Sequence, residues 1–237
     1  MDQQTVKAQN TTEKQRYVFE LSLETPGNTH AIQFKLVPEH ALVLDVGCHT
    51  GIMGQTLAAR KGCTVIGIDQ DLGALEIAAT RLRDAFPIDL ELAGWTKQVL
   101  ARGHHDFDVI LFGDVLEHTR RPEAVLREAQ SLLKQQGRVI VSVPNVANLR
   151  VRLGLLRGRF EYEESGILDR THMRFFTQDS ARELIRTAGY RIIESNVTGY
   201  SLPHWLIRLF PGMLAVQFIF AATPEKDNGA VAEQQIG

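Results

Sequence analysis

The short run Ala41-Leu-Val-Leu-Asp-Val46 breaks at a glycine-bearing turn, Gly47-Cys-His-Thr-Gly51, and passes straight into the helix-like stretch Ile52 to Arg60. Apolar strand, tight turn and helix in that order open an α/β unit. The pattern then repeats. Thr64-Val-Ile-Gly-Ile68 reads as a second strand ending in Asp69, and Asp71 caps a helix with Leu72, Leu75, Ala79, Leu82 and Phe86 at helical spacing. Ile88 to Ala93 is the third strand candidate, Phe107 to Phe112 the fourth and Arg138 to Val143 the fifth. Between the last two lies a helix with Pro122 in its first turn, Val125, Leu126, Ala129, Leu132 and Leu133 on one face, and Gly137 as its stop. Thr177 is the N-cap of a further helix ending at Gly189, followed by a strand from Tyr190 to Val197 and a last apolar stretch, Leu214 to Ala222. Strands alternating with helices predict an α/β fold: a doubly wound, mostly parallel seven-stranded sheet with helices on both faces.

The chain has 237 residues, the size of one domain with appendages. We read residues 1–27 as a polar extension, 28–222 as the domain and 223–237 as a disordered tail. Two stretches, 145–176 and 199–213, break the alternation after strands, on the side where doubly wound sheets bind ligands. Lysine plus arginine number 26 against 28 aspartate plus glutamate, so no global charge draws the chain to a phosphate polymer, and no nucleic-acid partner is expected. Cys48 and Cys63 show no metal-type spacing and imply a reducing compartment. The polar first seventeen residues and the lack of a long apolar run predict a cytoplasmic protein. Leu202 to Phe220 comes nearest to a membrane span but is interrupted by His204, Arg208 and Pro211-Gly212, which leaves peripheral membrane contact open.

A glycine turn lets a ligand approach the backbone and offers helix N-terminal amides to it. Asp69, twenty-two residues after Gly47, stands where a carboxylate accepts the hydrogen bonds of a ribose diol. A dinucleotide turn needs G-x-G-x-x-G, but His49 and Ile52 occupy the second and third glycine positions, which argues against a nicotinamide-dependent oxidoreductase. Val43-Leu-Asp-Val-Gly-Cys-His-Thr-Gly51 resembles instead the first motif of class I S-adenosylmethionine-dependent methyltransferases. Gly67-Ile-Asp69, Phe107-Asp-Val-Ile-Leu-Phe-Gly-Asp-Val-Leu-Glu-His118 and Leu132-Leu-Lys-Gln-Gln-Gly-Arg-Val-Ile-Val-Ser-Val-Pro-Asn145 follow in the family's order. The last two resemble the branch that includes ubiquinone-biosynthesis O-methyltransferases and small-molecule methyltransferases of polysaccharide and natural-product pathways.

The resemblance implies S-adenosyl-L-methionine as cofactor. Asp45, Gly47 and Gly51 would surround its methionine part, Asp69 would hold the ribose, and Asp114 would lie near the sulfonium. Cys48, His49 and Gln70 belong to the same cofactor set. Where the family commonly has an acid for the adenine amine, Ala93-Gly-Trp95 stands here, so Trp95 either stacks on adenine or belongs to the core.

Methyl transfer needs alignment, exclusion of water and, for a hydroxyl acceptor, a base. His118 and His172 are the candidates, beside Asp114. Asp169, Arg170 and Arg174, next to Phe175 and Phe176, suit the wall of an acceptor pocket. Asp114, Glu117 and His118, or His104-His105 with Asp106, are metal-competent by type, but without an H-x-x-x-H or H-x-H pair no metal is expected. Arg150, Arg152, Arg157 and Arg159 stand among leucines with no acid between Asn148 and Phe160, a pattern that suits an anionic substrate, a membrane surface or a cover helix with solvated arginines. The expected reaction is O-methylation of a small molecule, on a glycan, lipid-linked or natural-product intermediate. A quinone or phenol acceptor is the second choice, and a non-catalytic module binding S-adenosylmethionine is the alternative of another class.

Overall fold

A computed structural model describes Leu23, residues 28–199 and residues 203–225. The expectations for the rest of the N-terminal extension and for the tail past Glu225 lie outside the described residues. One seven-stranded sheet runs β3-β2-β1-β4-β5-β7-β6, built from β1 (Leu42–Val46), β2 (Thr64–Asp69), β3 (Asp84–Pro87), β4 (Phe107–Gly113), β5 (Leu133–Pro144), β6 (Tyr190–Thr198) and β7 (Gln217–Pro224). Neighbours from β3 to β5 are parallel, and β7 lies antiparallel between β5 and β6. The strand order reverses between β1 and β4, the position at which an open α/β sheet forms a crevice beyond its carboxyl ends.

The described helices are α1 (Thr29–Leu36), α2 (Ile52–Lys61), α3 (Leu72–Ala78), α4 (Trp95–Ala101), α5 (Pro122–Ala129), α6 (Leu149–Leu156), α7 (Gln178–Thr187), α8 (His204–Leu209) and α9 (Pro211–Leu214). Their starts follow local chemistry. Asp71 Oδ1 accepts from the amides of Gly73 and Ala74 to open α3, Pro122 takes the first position of α5, and Thr177 forms a capping box with Ser180 at α7. Successive strand side chains point to opposite faces. Val43, Val65, Val109 and Ile140 pack in one core cluster with Leu36 and Leu57 of α1 and α2. Leu44, Ile66, Ile110 and Val139 pack in the other, with residues of α4, α5 and α7.

Three expectations are corrected. The helix read from Leu72 through Phe86 ends at Ala78, and the third strand is Asp84–Pro87. Leu82 and Phe86 keep a four-residue spacing by coincidence: Leu82 packs beside Leu75 and Ala78 at the end of α3, whereas Phe86 pairs with Ile68 of β2. Ile88 to Ala93 is therefore a connecting segment. Gly137 is not a helix stop, because α5 ends at Ala129 and β5 already begins at Leu133. A Cβ at Gly137 would stand 2.8 Å from the Phe107 carbonyl oxygen, so glycine is needed where the β4–β5 register shifts. Leu214 closes α9 and does not start the last strand, which begins at Gln217.

Candidate active site

Beyond the carboxyl ends of β1, β2 and β4 lies a cavity of about 290 Å³, walled by Gly47, His49, Asp69, Gln70, Asp114 and His118 and by Ile88 to Glu91. That volume sits at the lower end of the roughly 300–1,000 Å³ common for small-molecule sites. Gly47 has φ +70°, and a Cβ there would lie 2.5 Å from Val115 Cγ2. Only glycine satisfies both conditions. His49 also has positive φ, 47°, and its amide donates to Asp69 Oδ2 at 2.8 Å. Asp69 Oδ1 accepts from the amides of Gln70 at 2.7 Å and Asp71 at 3.0 Å. A carboxylate offers about four lone-pair sites, so three amides fix Asp69 and leave capacity for a ligand hydroxyl.

Beneath the turn, Asp45 is buried and its Oδ2 has no hydrogen-bond partner among the described residues. Burial, and then the charge of Asp69, push its carboxyl pKa up to about 7. This orphaned oxygen beside an anion fits a cationic ligand group close by, as the methionine part of S-adenosylmethionine carries. Asp114 holds φ 55° at the end of β4, a conformation few non-glycine residues adopt. A half-buried network holds it there. Its amide donates to Ser142 Oγ at 3.0 Å, that hydroxyl donates to Asp114 Oδ1 at 2.6 Å, and Gln217 Nε2 donates to the same oxygen at 2.9 Å. Gln33 Nε2 of α1 donates to Ser142 Oγ at 2.9 Å, and Thr29 Oγ1 donates to Gln217 Oε1.

The other wall is assembled from distant segments. The carbonyl of Glu117 accepts from the amides of Met173 at 2.8 Å and Arg174 at 3.0 Å, which pins the 145–176 insertion to the end of β4. His118 Nδ1 lies 3.2 Å from Thr171 Oγ1 and 3.3 Å from the Thr171 carbonyl. Thr171 Oγ1 already donates to Asp169 Oδ1 at 2.6 Å, so both of its contacts with His118 require a donor on Nδ1. That fixes the tautomer and leaves His118 Nε2 with its lone pair. His172 Nδ1 lies 3.2 Å from the Ile167 carbonyl, with the same consequence. The two imidazoles meet edge to face, 4.8 Å between centroids. Burial, and then the charge of His118, lower the His172 pKa, so its ring is neutral near pH 7. Burial raises the Asp169 carboxyl, but the Thr171 hydrogen bonds outweigh it and hold the group low and ionised.

Glu117 is buried with Oε2 unpartnered among the described residues, and burial, then the charge of Asp114, hold its carboxyl well above the usual range. Glu117, His118 and His172 each present a ligand-type atom within 4.8 Å of the others. No sequence spacing shows that grouping, because His172 arrives on a remote insertion.

Several site residues expected from the sequence fall elsewhere. Trp95 is 1% exposed within the core and contributes nothing to the cavity wall, so adenine stacking on it is ruled out. With β3 ending at Pro87, the acids that follow it are Asp89 and Glu91, both on the wall. Cys48 is buried, and its Sγ would meet a Cβ at Gly67 at 2.6 Å, so it packs on β2. Gly51 caps α2 with φ +74° and also lies off the wall. Arg170 pairs with Glu164 at 2.5 Å, and Arg174 donates to the Arg120 carbonyl; neither lines the cavity. Asp169 acts on the site through Thr171. His104, a metal-competent residue by type, pairs with Asp84 Oδ2 at 2.8 Å and stacks on Phe86, while His105 pairs with Asp106.

The family model described as "Methyltransferase domain" matches residues 21–195. The chain belongs to this family, the class I S-adenosylmethionine-dependent methyltransferases. Its cofactor is S-adenosylmethionine, and the cavity beside Gly47 and Asp69 has the donors and acceptors to hold it. This methyltransferase is 27% identical over 182 residues to a ubiquinone biosynthesis O-methyltransferase of Ruegeria pomeroyi, covering 76% of this chain and 72% of that one. It is 35% identical over 104 residues to one from Citrobacter koseri, covering 44% and 42% of the two chains. Among solved structures, a possible histamine N-methyltransferase from Thermotoga maritima superposes with a TM-score of 0.58 at 20% identity, covering 91% and 96%. The magnesium protoporphyrin IX methyltransferase of Synechocystis, solved with bound S-adenosylhomocysteine, gives 0.56 at 18%, covering 82% and 78%. At those identities the likeness is one of fold.

Proposed function

We propose that this methyltransferase methylates a hydroxyl oxygen on a small organic acceptor, with His118 as general base. The observation that carries this is the fixed tautomer of His118, which leaves Nε2 as an acceptor on a residue that lines the cavity together with Asp69 and Asp114. When bound, S-adenosylmethionine supplies a methyl group on a sulfonium, the electrophile of an in-line displacement. The protein's own residues supply the rest. Asp69 and the Gly47 turn bind and orient, while Ile88, Leu90 and Val115 limit water. His118 Nε2 takes the acceptor proton as the new O–C bond forms. The positive charge then left on the ring faces the ionised Asp169 through Thr171. Glu117 and Asp45, both with raised pKa, add less negative charge than their number suggests.

Of the acceptors considered, a phenolic ring is the best supported. Ring faces of His172, Phe175, Phe160 and Tyr162 adjoin one another at 5.6–6.5 Å beyond His118, and the relatives are named for ubiquinone biosynthesis. The test is calorimetric binding of S-adenosylmethionine and its demethylated product, with NADH as control, followed by methyl transfer to catechol-type and hydroxy-sugar panels. Transfer to catechols that is lost in His118→Gln is the expected result. Transfer only to amines, or undiminished transfer in His118→Gln, would remove the proposal.

A further inference from the structure

We infer that the face formed by α6 and the α8–α9 turn docks on an anionic lipid surface. Of the eight residues of α6 only Val151 is buried. Leu149, Leu153 and Leu156, at helical spacing, are 38%, 40% and 83% exposed, so the helix turns its apolar stripe outward. On α8, Ile207 faces the core, while Trp205 and Leu209 share the opposite side at 68% and 62% exposure. The two segments are fastened together. Asn145 and Asn148 each donate from Nδ2 to the Ala215 carbonyl at 2.9 Å, joining the start of α6 to the end of α9 beyond β5 and β7.

Charge selects the occupant. Leu149 to Phe160 carries four arginines and no acid. Arg152 and Arg157 donate to the carbonyls of Ala147 and Leu153, and neither they nor Arg159 form an ion pair among the described residues. Protruding leucines and an exposed indole among unpaired guanidinium groups match an interface where apolar tips enter the acyl boundary and arginines meet phosphates. A second copy fits less well, because a twofold contact would set these arginines against their own counterparts. No helix among the described residues is long and apolar enough to cross a membrane, so the contact is peripheral. Rings lead inward from this face. Phe160 touches Phe175 at 5.9 Å, Phe175 touches His172 at 6.2 Å, and His172 touches His118 at 4.8 Å, so docking brings the histidine wall of the site toward the bilayer. The inference rests on the insertions alone and stands whichever hydroxyl is methylated.

The experiment is flotation of the full chain with vesicles of phosphatidylcholine alone or with about one-third phosphatidylglycerol, at low and high salt. Expected is binding to the anionic vesicles only, weakened by salt. The Arg152→Ala, Arg157→Ala, Arg159→Ala variant should bind roughly fivefold more weakly per arginine removed, and Leu153→Glu with Leu156→Glu should abolish binding. Unchanged S-adenosylmethionine affinity in each variant reports an intact domain. No binding by the wild type, equal binding to neutral vesicles, or full binding by the leucine variant would overturn the inference. So would a wild-type dimer that the leucine variant dissociates, which would assign the face to a second copy.

Discussion

The two walls of the cavity meet the same ligand space but are built differently. On the β1–β2 side the working groups are mostly backbone: a glycine turn, the amides of His49, Gln70 and Asp71, and one carboxylate that they fix. On the β4–β5 side they are side chains brought together across the chain, with Thr171 meeting His118 from 53 residues away. The first wall depends on local conformation, which a short motif carries. The second depends on how an insertion folds back, so acceptor chemistry can change there without disturbing the cofactor wall. Substitutions on the two sides should accordingly separate turnover from cofactor affinity.

The largest effect is expected on the acceptor side. His118→Gln should lower kcat by about 10²–10⁴-fold, the usual contribution of a general base, while the Kd for S-adenosylmethionine stays within twofold. His172→Gln should cost less, because its ring supports His118 from 4.8 Å. Undiminished kcat in His118→Gln would place the base elsewhere.

On the cofactor side, Asp69→Ala should weaken S-adenosylmethionine binding on the order of 100-fold, since hydrogen bonds to a charged group are worth about 1.5–3 kcal/mol each. Saturating cofactor should restore most of kcat, which the His118 variant cannot match. Equal losses of kcat in both variants would erase the distinction between the walls.

Asp45 gives a smaller effect that reads through stability. Its folded-state pKa of about 7 lies above the ordinary value of 3.8, so between those values the unfolded chain binds fewer protons. Stability therefore falls as pH rises through this window and stays lowered above it. Asp45→Asn removes the charge at the cost of burying an amide without a full set of partners, for a net gain of about 1–2 kcal/mol at pH 8 and little at pH 4. Denaturant unfolding of the cofactor-free protein at the two pH values measures this. The same variant should bind S-adenosylmethionine more weakly, because the site loses the anion that a cationic group would face. A gain independent of pH would mean that Asp45 is not the titrating group.

The sheet and the cofactor wall were legible because glycine turns, N-caps and apolar runs act over a few residues. The Gly47 turn, the capping by Asp71 and Thr177, and the carboxylate at Asp69 all fall where the sequence places them. The acceptor wall was legible only as candidates. His118 and His172 are visible in the chain, but the Thr171 hydroxyl that fixes the His118 tautomer and the buried Glu117 that joins the pair depend on long-range packing. Gln33 shows the limit clearly. Glutamine is a residue type found mostly at the surface, yet this one is 1% exposed and holds Ser142 beneath Asp114.

Trp95 carries the smallest prediction and tests the corrected adenine end. Of the two places open to Trp95 it takes the core, with Nε1 unpartnered among the described residues, while Asp89 and Glu91 line the cavity. Trp95→Phe removes a buried donor that satisfies nothing and leaves a modest gap, two effects of opposite sign that should nearly cancel, within about 1.5 kcal/mol. The Kd for S-adenosylmethionine should stay within twofold. Asp89→Ala, on the wall, should weaken binding several-fold with stability unchanged. Calorimetry on the two variants decides between the positions: a tenfold loss in Trp95→Phe with none in Asp89→Ala would return the adenine to the indole.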